Sequence, residues 1–133
     1  HNGLFYQLHD IIHDTWSFSS GEQNAKNKKE KYKIKMSGNR ASNDGDLVRR
    51  WCVDGKGLAV KSCLDMSADL LSGKVVSVMP EFIPRMTELW LICPSRQSIT
   101  PAVRLLRDTF RKKSAFILNQ LVEKNVLDES VLN

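Results

Sequence analysis

The sequence has little of what most catalysts and metal proteins need. Its three cysteines, Cys52, Cys63 and Cys93, stand far apart, each inside an apolar segment. They make no CxxC pair for zinc and no dense disulfide framework. Cysteines so placed behave as small core hydrophobes, and a reduced, cytoplasmic setting is expected. No Gly-rich phosphate loop, nucleophile elbow or HExxH motif is present. Asp65 and Glu81 are separate carboxylates with no evident partner, so no enzyme is expected. No run approaches the roughly 20 apolar residues that cross a membrane, and Leu4–Leu8 is too short for the apolar part of a signal peptide. His9 and His13 lie four apart beside Asp10 and Asp14, but no third ligand follows at a matching spacing. Neither a metal nor another cofactor is expected.

What is present is an ordinary globular composition of 133 residues, 41% hydrophobic and 26% charged, enough for one core. The net charge of +5 comes mostly from Lys26, Lys28, Lys29, Lys31, Lys33 and Lys35. Residues 31–36 alternate charge with apolar bulk, which is the pattern of a strand with one wet face. Lys31, Lys33 and Lys35 then share a face and Tyr32 takes the other. A small basic nucleic-acid-binding module centred on residues 26–35 is therefore one functional reading. A solvated strand that protects a sheet edge is the plainer account of the same residues.

Residues 18–30 read as a polar turn ahead of that strand. After it, Asn43, Asp44 and Asp46 supply a helix cap and an acidic first turn. Leu47, Val48, Trp51 and Cys52 follow at helical spacing, and Gly55 and Gly57 end the helix. A short buried strand is expected at 58–60. A second helix opens at Asp65 and Ser67, carries Leu64, Ala68 and Leu71 on one face, and closes at Gly73. Residues 75–79 read as a third strand stopped by Pro80. This alternation is the rhythm of an α/β layer structure. An extended connector (81–88) leads to a fourth strand at 89–93. Thr100-Pro101 then starts a long helix with Val103, Leu106, Phe110, Ile117 and Leu121 on one face. That last strand and helix have no further strand to pair with, so a partner chain or upstream sequence is expected to complete them.

Three sets of residues carry a resemblance: Asp14-Thr15-Trp16-Ser17-Phe18; Ser37-Gly38-Asn39-Arg40-Ala41-Ser42-Asn43-Asp44-Gly45; and Arg49-Arg50-Trp51 with Gly55-Lys56-Gly57-Leu58-Ala59. Leu70-Leu71-Ser72-Gly73-Lys74-Val75-Val76, Met79-Pro80-Glu81-Phe82 and Leu91-Ile92-Cys93-Pro94-Ser95-Arg96 continue it. In order and spacing the chain resembles, from about Asp14 to Lys112, the effector domain of LysR-type transcriptional regulators. Lys61-Ser62 departs from the Leu-Pro that often follows the glycine pair in that family, and residues 114–133 run past the usual end.

The resemblance implies an α/β, periplasmic-binding-protein-like (type 2) effector domain. Residues 1–82 would be its second subdomain, 83–88 a connector, 89–121 the return strand and long helix of the first subdomain, and 122–133 a tail. The first subdomain's opening strands and a winged helix-turn-helix would lie upstream, so DNA would be met only through that absent module. The implied partners are a small-molecule effector and a further copy of the chain, as a homodimer or larger homo-oligomer, with no membrane. With half of the cleft missing, weak or no effector binding by this chain alone is expected.

Ser42 and Asn43 are the first candidates for effector contact. They stand where a strand ends and a helix begins, the edge at which α/β proteins present ligand groups. Exposed helix N–H groups there can hold a carboxylate, although Asp44 and Asp46 already occupy the positive helix end. Thr15 and Trp16 are candidates for the cleft wall, with core or hinge packing the plainer role for Trp16. Lys61 is a candidate counter-charge, with a solvated lysine as its alternative.

Overall fold

Leu4 and Phe5, adjacent and both buried, begin the strand that organises the N-terminal part of the chain: β1, Leu4–Leu8. A computed structural model describes residues 1–23, 29–84 and 88–132 and divides the chain into two units, His1–Met86 and Thr87–Asn133. In the first unit β1 is paired along both edges. On one edge it runs parallel to β5 (Arg40–Ser42), in the register Leu4 to Arg40 and Tyr6 to Ser42. On the other edge the Leu4 N–H donates to Leu58 O (2.8 Å), and from Gln7 onward the short strand β2 (Ile11–Ile12) takes over as an antiparallel partner.

A second, antiparallel sheet has the order β4-β3-β6, with β3 at Thr15–Gln23, β4 at Lys29–Lys35 and β6 at Phe82–Pro84. The alternation expected at 31–36 is realised in β4: Trp16 lies opposite Ile34 and Phe18 opposite Tyr32, while Lys33 lies opposite Ser17. Two expectations are corrected here. Residues 18–23, expected as a turn, are strand, because pairing with β4 and β6 satisfies backbone groups that a solvated turn would leave to water. The part of that segment at 24–28, with Lys26 and Lys28, lies outside the described residues. Residues 82–84, expected in a connector, form β6 on the edge of β3, a position that tolerates Pro84.

The helix expected after Asn43 is α1, Gly45–Val53. The Asp44 carboxylate accepts the Asp46 N–H (2.9 Å) and the Leu47 N–H (3.2 Å), and Asp46 adds negative charge to the first turn. Gly55 ends the helix in the left-handed region (φ +69°), where a side chain would be strained. Val48 is the buried contact of α1. α2, Ser67–Leu71, closes on Gly73 (φ +73°), but Met66 stands at its cap and Asp65 turns instead to Lys61.

Three expected strands do not form. At 58–60 a single bridge joins Gly3 and Leu58, and among the described residues no ladder extends from it to Val60. Residues 75–79 have no ladder partner among the described residues, Val76 is 75% exposed, and Met79 leaves the extended region (φ +55°). Residues 89–93 likewise have no ladder among the described residues, and Ile92 is 86% exposed.

In the second unit Thr100 caps α3, Pro101–Glu123, by accepting the Val103 N–H, with Pro101 at the first helical position. Asn125 (φ +53°) reverses the chain, and the Val126 N–H returns to Leu121 O (2.9 Å). A 3-10 turn at Glu129–Leu132 lies against the helix, and Leu121 is fully buried.

Candidate functional site

The carboxyl end of β5 leads directly into the first turn of α1, and three of the five expected site residues gather there. Ser42, half-buried, closes β5, and its Oγ accepts the Asp44 N–H at 3.0 Å. Asn43 follows with its side chain exposed. Lys61 reaches the same turn from the loop after Leu58: its Nζ donates to Gly45 O (2.9 Å) and pairs with Asp65 Oδ2 (2.5 Å). That side chain is 15% exposed, so Lys61 is neither a solvated lysine nor an unpaired cation.

The other two expected residues go elsewhere. Thr15 opens β3 and donates its hydroxyl to Asp14 Oδ1 at 3.1 Å. Trp16 sets its ring edge-on to Phe5, centroids 6.1 Å apart at 64°, which is a packing contact. Asp14, Phe5 and Ile12 line an open groove of about 470 Å³ together with residues 36–41. Arg40 and Asp14 are its charged groups, and Arg40 is turned to the Asn39 side chain (3.0 Å). His13 stacks on Tyr6 at 6.3 Å. No group of three or more His, Cys, Asp or Glu among the described residues is arranged to hold a metal.

Electrostatics at α1 limit what the site can do. The first-turn N–H groups that would draw an anion are already held by Asp44, a carboxylate supplied by the chain itself. The ammonium of Lys61 is spoken for by Asp65. The contacts left at this edge are a hydroxyl and an amide, at Ser42 and Asn43, suited to a ligand's hydroxyl, carbonyl or amide groups.

Behind the turn lies a feature that sequence reasoning missed. Asp69 of α2 is 3% exposed, and its Oδ2 receives the Arg49 Nε–H at 2.7 Å. Arg49 also donates to Asp46 (3.1 Å). The hydrogen bond to Asp69, then the one to Asp46, hold the guanidinium pKa above its ordinary value, so Arg49 stays charged throughout the accessible pH range. A buried carboxylate needs such a partner, and this pair locks α2 to α1. Burial pushes the Cys52 thiol up, the charge of Asp69 pushes it further, and Lys61 partly offsets both. The sequence signal for Asp69 was an acid inside the otherwise small and apolar Ser67–Leu71 segment.

A short parallel ladder beside a capped helix gives the first unit an α/β character. The chain matches the LysR substrate binding domain family over residues 7–115, and it belongs to that family. Domains of this family are regulatory and not catalytic, and they have a periplasmic-binding-protein-like fold with which the mixed sheets and helices are compatible. The chain is 34% identical over 87 residues to the HTH-type transcriptional regulator DmlR of Escherichia coli (strain K12), covering 65% of this chain and 28% of that protein. It is 33% identical over 92 residues to the HTH-type transcriptional activator TtdR of the same strain, covering 69% of this chain and 27% of that protein. The LysR family substrate binding domain-containing protein YagP, from the same strain, is 31% identical over 67 residues, half of this chain and 49% of YagP. The chain thus spans little more than a quarter of the first two relatives. No solved structure matches it at a significant level.

Proposed function

We propose that this chain is the effector-sensing part of a cytoplasmic LysR-type transcriptional regulator. The observation that carries the reading is the family match over residues 7–115, and the Ser42–Asn43 junction at the carboxyl end of β5 supports it. In this reading residues 1–82 are the second effector subdomain, 83–88 a connector, 89–121 the return strand and helix of the first subdomain, and 122–133 a tail. DNA is contacted by a separate winged helix-turn-helix module of the regulator. Ser42 and Asn43 bind a polar, uncharged part of a small-molecule effector, and Lys61 holds the α1 turn in place through Gly45. Any anionic group of the effector is met by other residues of the regulator, because Asp44 fills the anion position here.

Such a domain acts by binding one of two states more tightly than the other. Leu89, Trp90 and Ile92, with Leu105 and Phe116 of α3, are exposed apolar side chains within the second unit. In the assembled regulator they are covered by protein, as a homo-oligomer requires.

The reading is tested by thermal denaturation of the chain against a panel of hydroxy acids, amino acids and polyols at high millimolar concentration. A compound present at ten times its Kd adds about 1.4 kcal/mol of stability, enough to raise the midpoint measurably. At least one compound is expected to raise it, and Asn43→Ala is expected to abolish the rise. A rise that survives both Ser42→Ala and Asn43→Ala would put the site elsewhere.

A further inference from the structure

The lysines of β4 form a surface that the effector site does not use. Lys31, Lys33 and Lys35 alternate with Tyr32 and Ile34 along an edge strand, and all three are exposed. At about 3.3 Å per residue the stripe is roughly 13 Å long. Its neighbours across the ladder are Ser19, Ser17 and Thr15, so that face carries small hydroxyl residues beside the ammonium groups. The aromatic residues lie on the opposite face, where the Tyr32 and Phe82 rings meet at 5.6 Å and 81°. Glu30, the nearest acid in sequence, is drawn to that face too, accepting the Tyr32 hydroxyl at 2.5 Å. Among the described residues, the carboxylate paired with the stripe is Asp14, 3.8 Å from Lys35. A contact that long, to a lysine so exposed, neutralises little.

We propose that this lysine edge docks the sugar-phosphate backbone of duplex DNA without reading its sequence. Evenly spaced ammonium groups among small hydroxyl side chains match the chemistry of backbone contacts. The stripe's length covers about four phosphates of one strand, at 3.4 Å of helix axis each. Among the described residues no aromatic side chain lies on this face to stack an unpaired base, which disfavours single strands. No bulky apolar anchor among the described side chains on this face favours a protein partner. Nearness to DNA in the cell rests on the regulator reading above, but the capacity to bind does not, and the effector experiment is indifferent to it.

The test is fluorescence anisotropy of a labelled duplex of arbitrary sequence, titrated with the 133-residue chain over a series of salt concentrations. Each neutralised phosphate contributes about −0.9 to the slope of log K against log salt. Combining Lys31→Gln, Lys33→Gln and Lys35→Gln is expected to make that slope shallower by about 2 to 3 and to weaken low-salt binding more than tenfold. The corresponding Lys→Arg triple is expected to keep the slope. A charge-matched control on α3, Arg111→Gln with Lys112→Gln and Lys113→Gln, is expected to leave it nearly unchanged.

Four outcomes would overturn the proposal. They are no retention of duplex even at low salt, equal losses in the two glutamine triples, tighter binding of single strands, and displacement of duplex by polyglutamate at matched charge. The second would mean a diffuse net-charge effect, and the last an acidic protein partner.

Discussion

Truncating Leu4 to alanine tests whether β1 is the strand that holds the first unit together. Leu4 is 2% exposed, and the backbone around it is fixed on both sides, by Leu4 N–H to Leu58 O at 2.8 Å and Gly3 N–H to Ser37 O at 2.9 Å. Gly57 approaches so closely that a Cβ there would stand 3.2 Å from Leu4 Cγ and 2.3 Å from Asn2 O. Removing three carbons forfeits about 2.4 kcal/mol of transfer free energy. Because strands paired on both edges cannot close in fully, a residual cavity raises the loss to about 3–4 kcal/mol. Urea unfolding followed by tryptophan fluorescence reads this well, since half-buried Trp16 and Trp51 lie in the first unit whereas Trp90 is already exposed. The midpoint is expected to fall by about 2 M at an m-value near 1.5–2 kcal/mol/M. Ile92→Ala, at a side chain 86% exposed, is expected to change stability by less than about 0.5 kcal/mol. A Leu4→Ala loss under about 1 kcal/mol, or an equal loss for Ile92→Ala, would mean that β1 does not hold the first unit together.

The glycines separate two kinds of cost. Gly73→Ala meets open space but a φ of +73°, so a loss of about 1 kcal/mol is expected. Gly38→Ala would place Cβ 2.0 Å from Gly3 O and is expected to cost clearly more in the same urea assay; the reverse order would contradict the packing described. The Cys52 thiol, with its pKa raised by burial and then by Asp69, holds its proton more tightly folded than unfolded. Its contribution is therefore intact below the unfolded thiol's pKa of about 8.5 and is lost as pH rises beyond it. Alkylation of Cys52 at pH 8 should be slower in the folded chain than in urea, slower still in Lys61→Met, and the alkaline loss of stability should shrink in Cys52→Ala. Faster labelling of the folded thiol would contradict this. Sedimentation at high concentration is expected to show self-association through the exposed apolar side chains of the second unit, and a clean monomer would count against that part of the proposal.

Elements marked by local chemistry were legible in the sequence. Lysine alternation announced β4, the Asp44 cap and Gly55 bounded α1, and Thr100-Pro101 set the start of α3. β1 was not legible, because two adjacent buried residues followed by an exposed Tyr6 show neither helical nor strand period. Its partner β5 also lies more than thirty residues away. The serines and Gly21 of β3 suggested a turn, yet a strand held along both edges takes its stability from pairing and not from composition. The opposite error arose at 75–79 and 89–93, where apolar runs promised strands that have no ladder among the described residues. Periodicity reports what a segment can pair with, not whether an edge is within reach. The position of Ser42 and Asn43, where a strand end meets a helix cap, followed from the sequence. The grip of Lys61 on Gly45 and Asp65, and the buried Asp69–Arg49 pair, arise from residues that only the fold brings together.

An effector site at the strand–helix junction of a regulatory domain would be seen residue by residue in amide NMR of the ¹⁵N-labelled chain. Titration with the stabilising compound detects even millimolar binding and assigns it to residues. The largest shifts are expected on Ser42, Asn43, Asp44 and Gly45, with smaller ones at Lys61. Shifts confined to the groove of Phe5, Asp14 and residues 36–41, or to no residue of the first unit, would contradict a site at that junction.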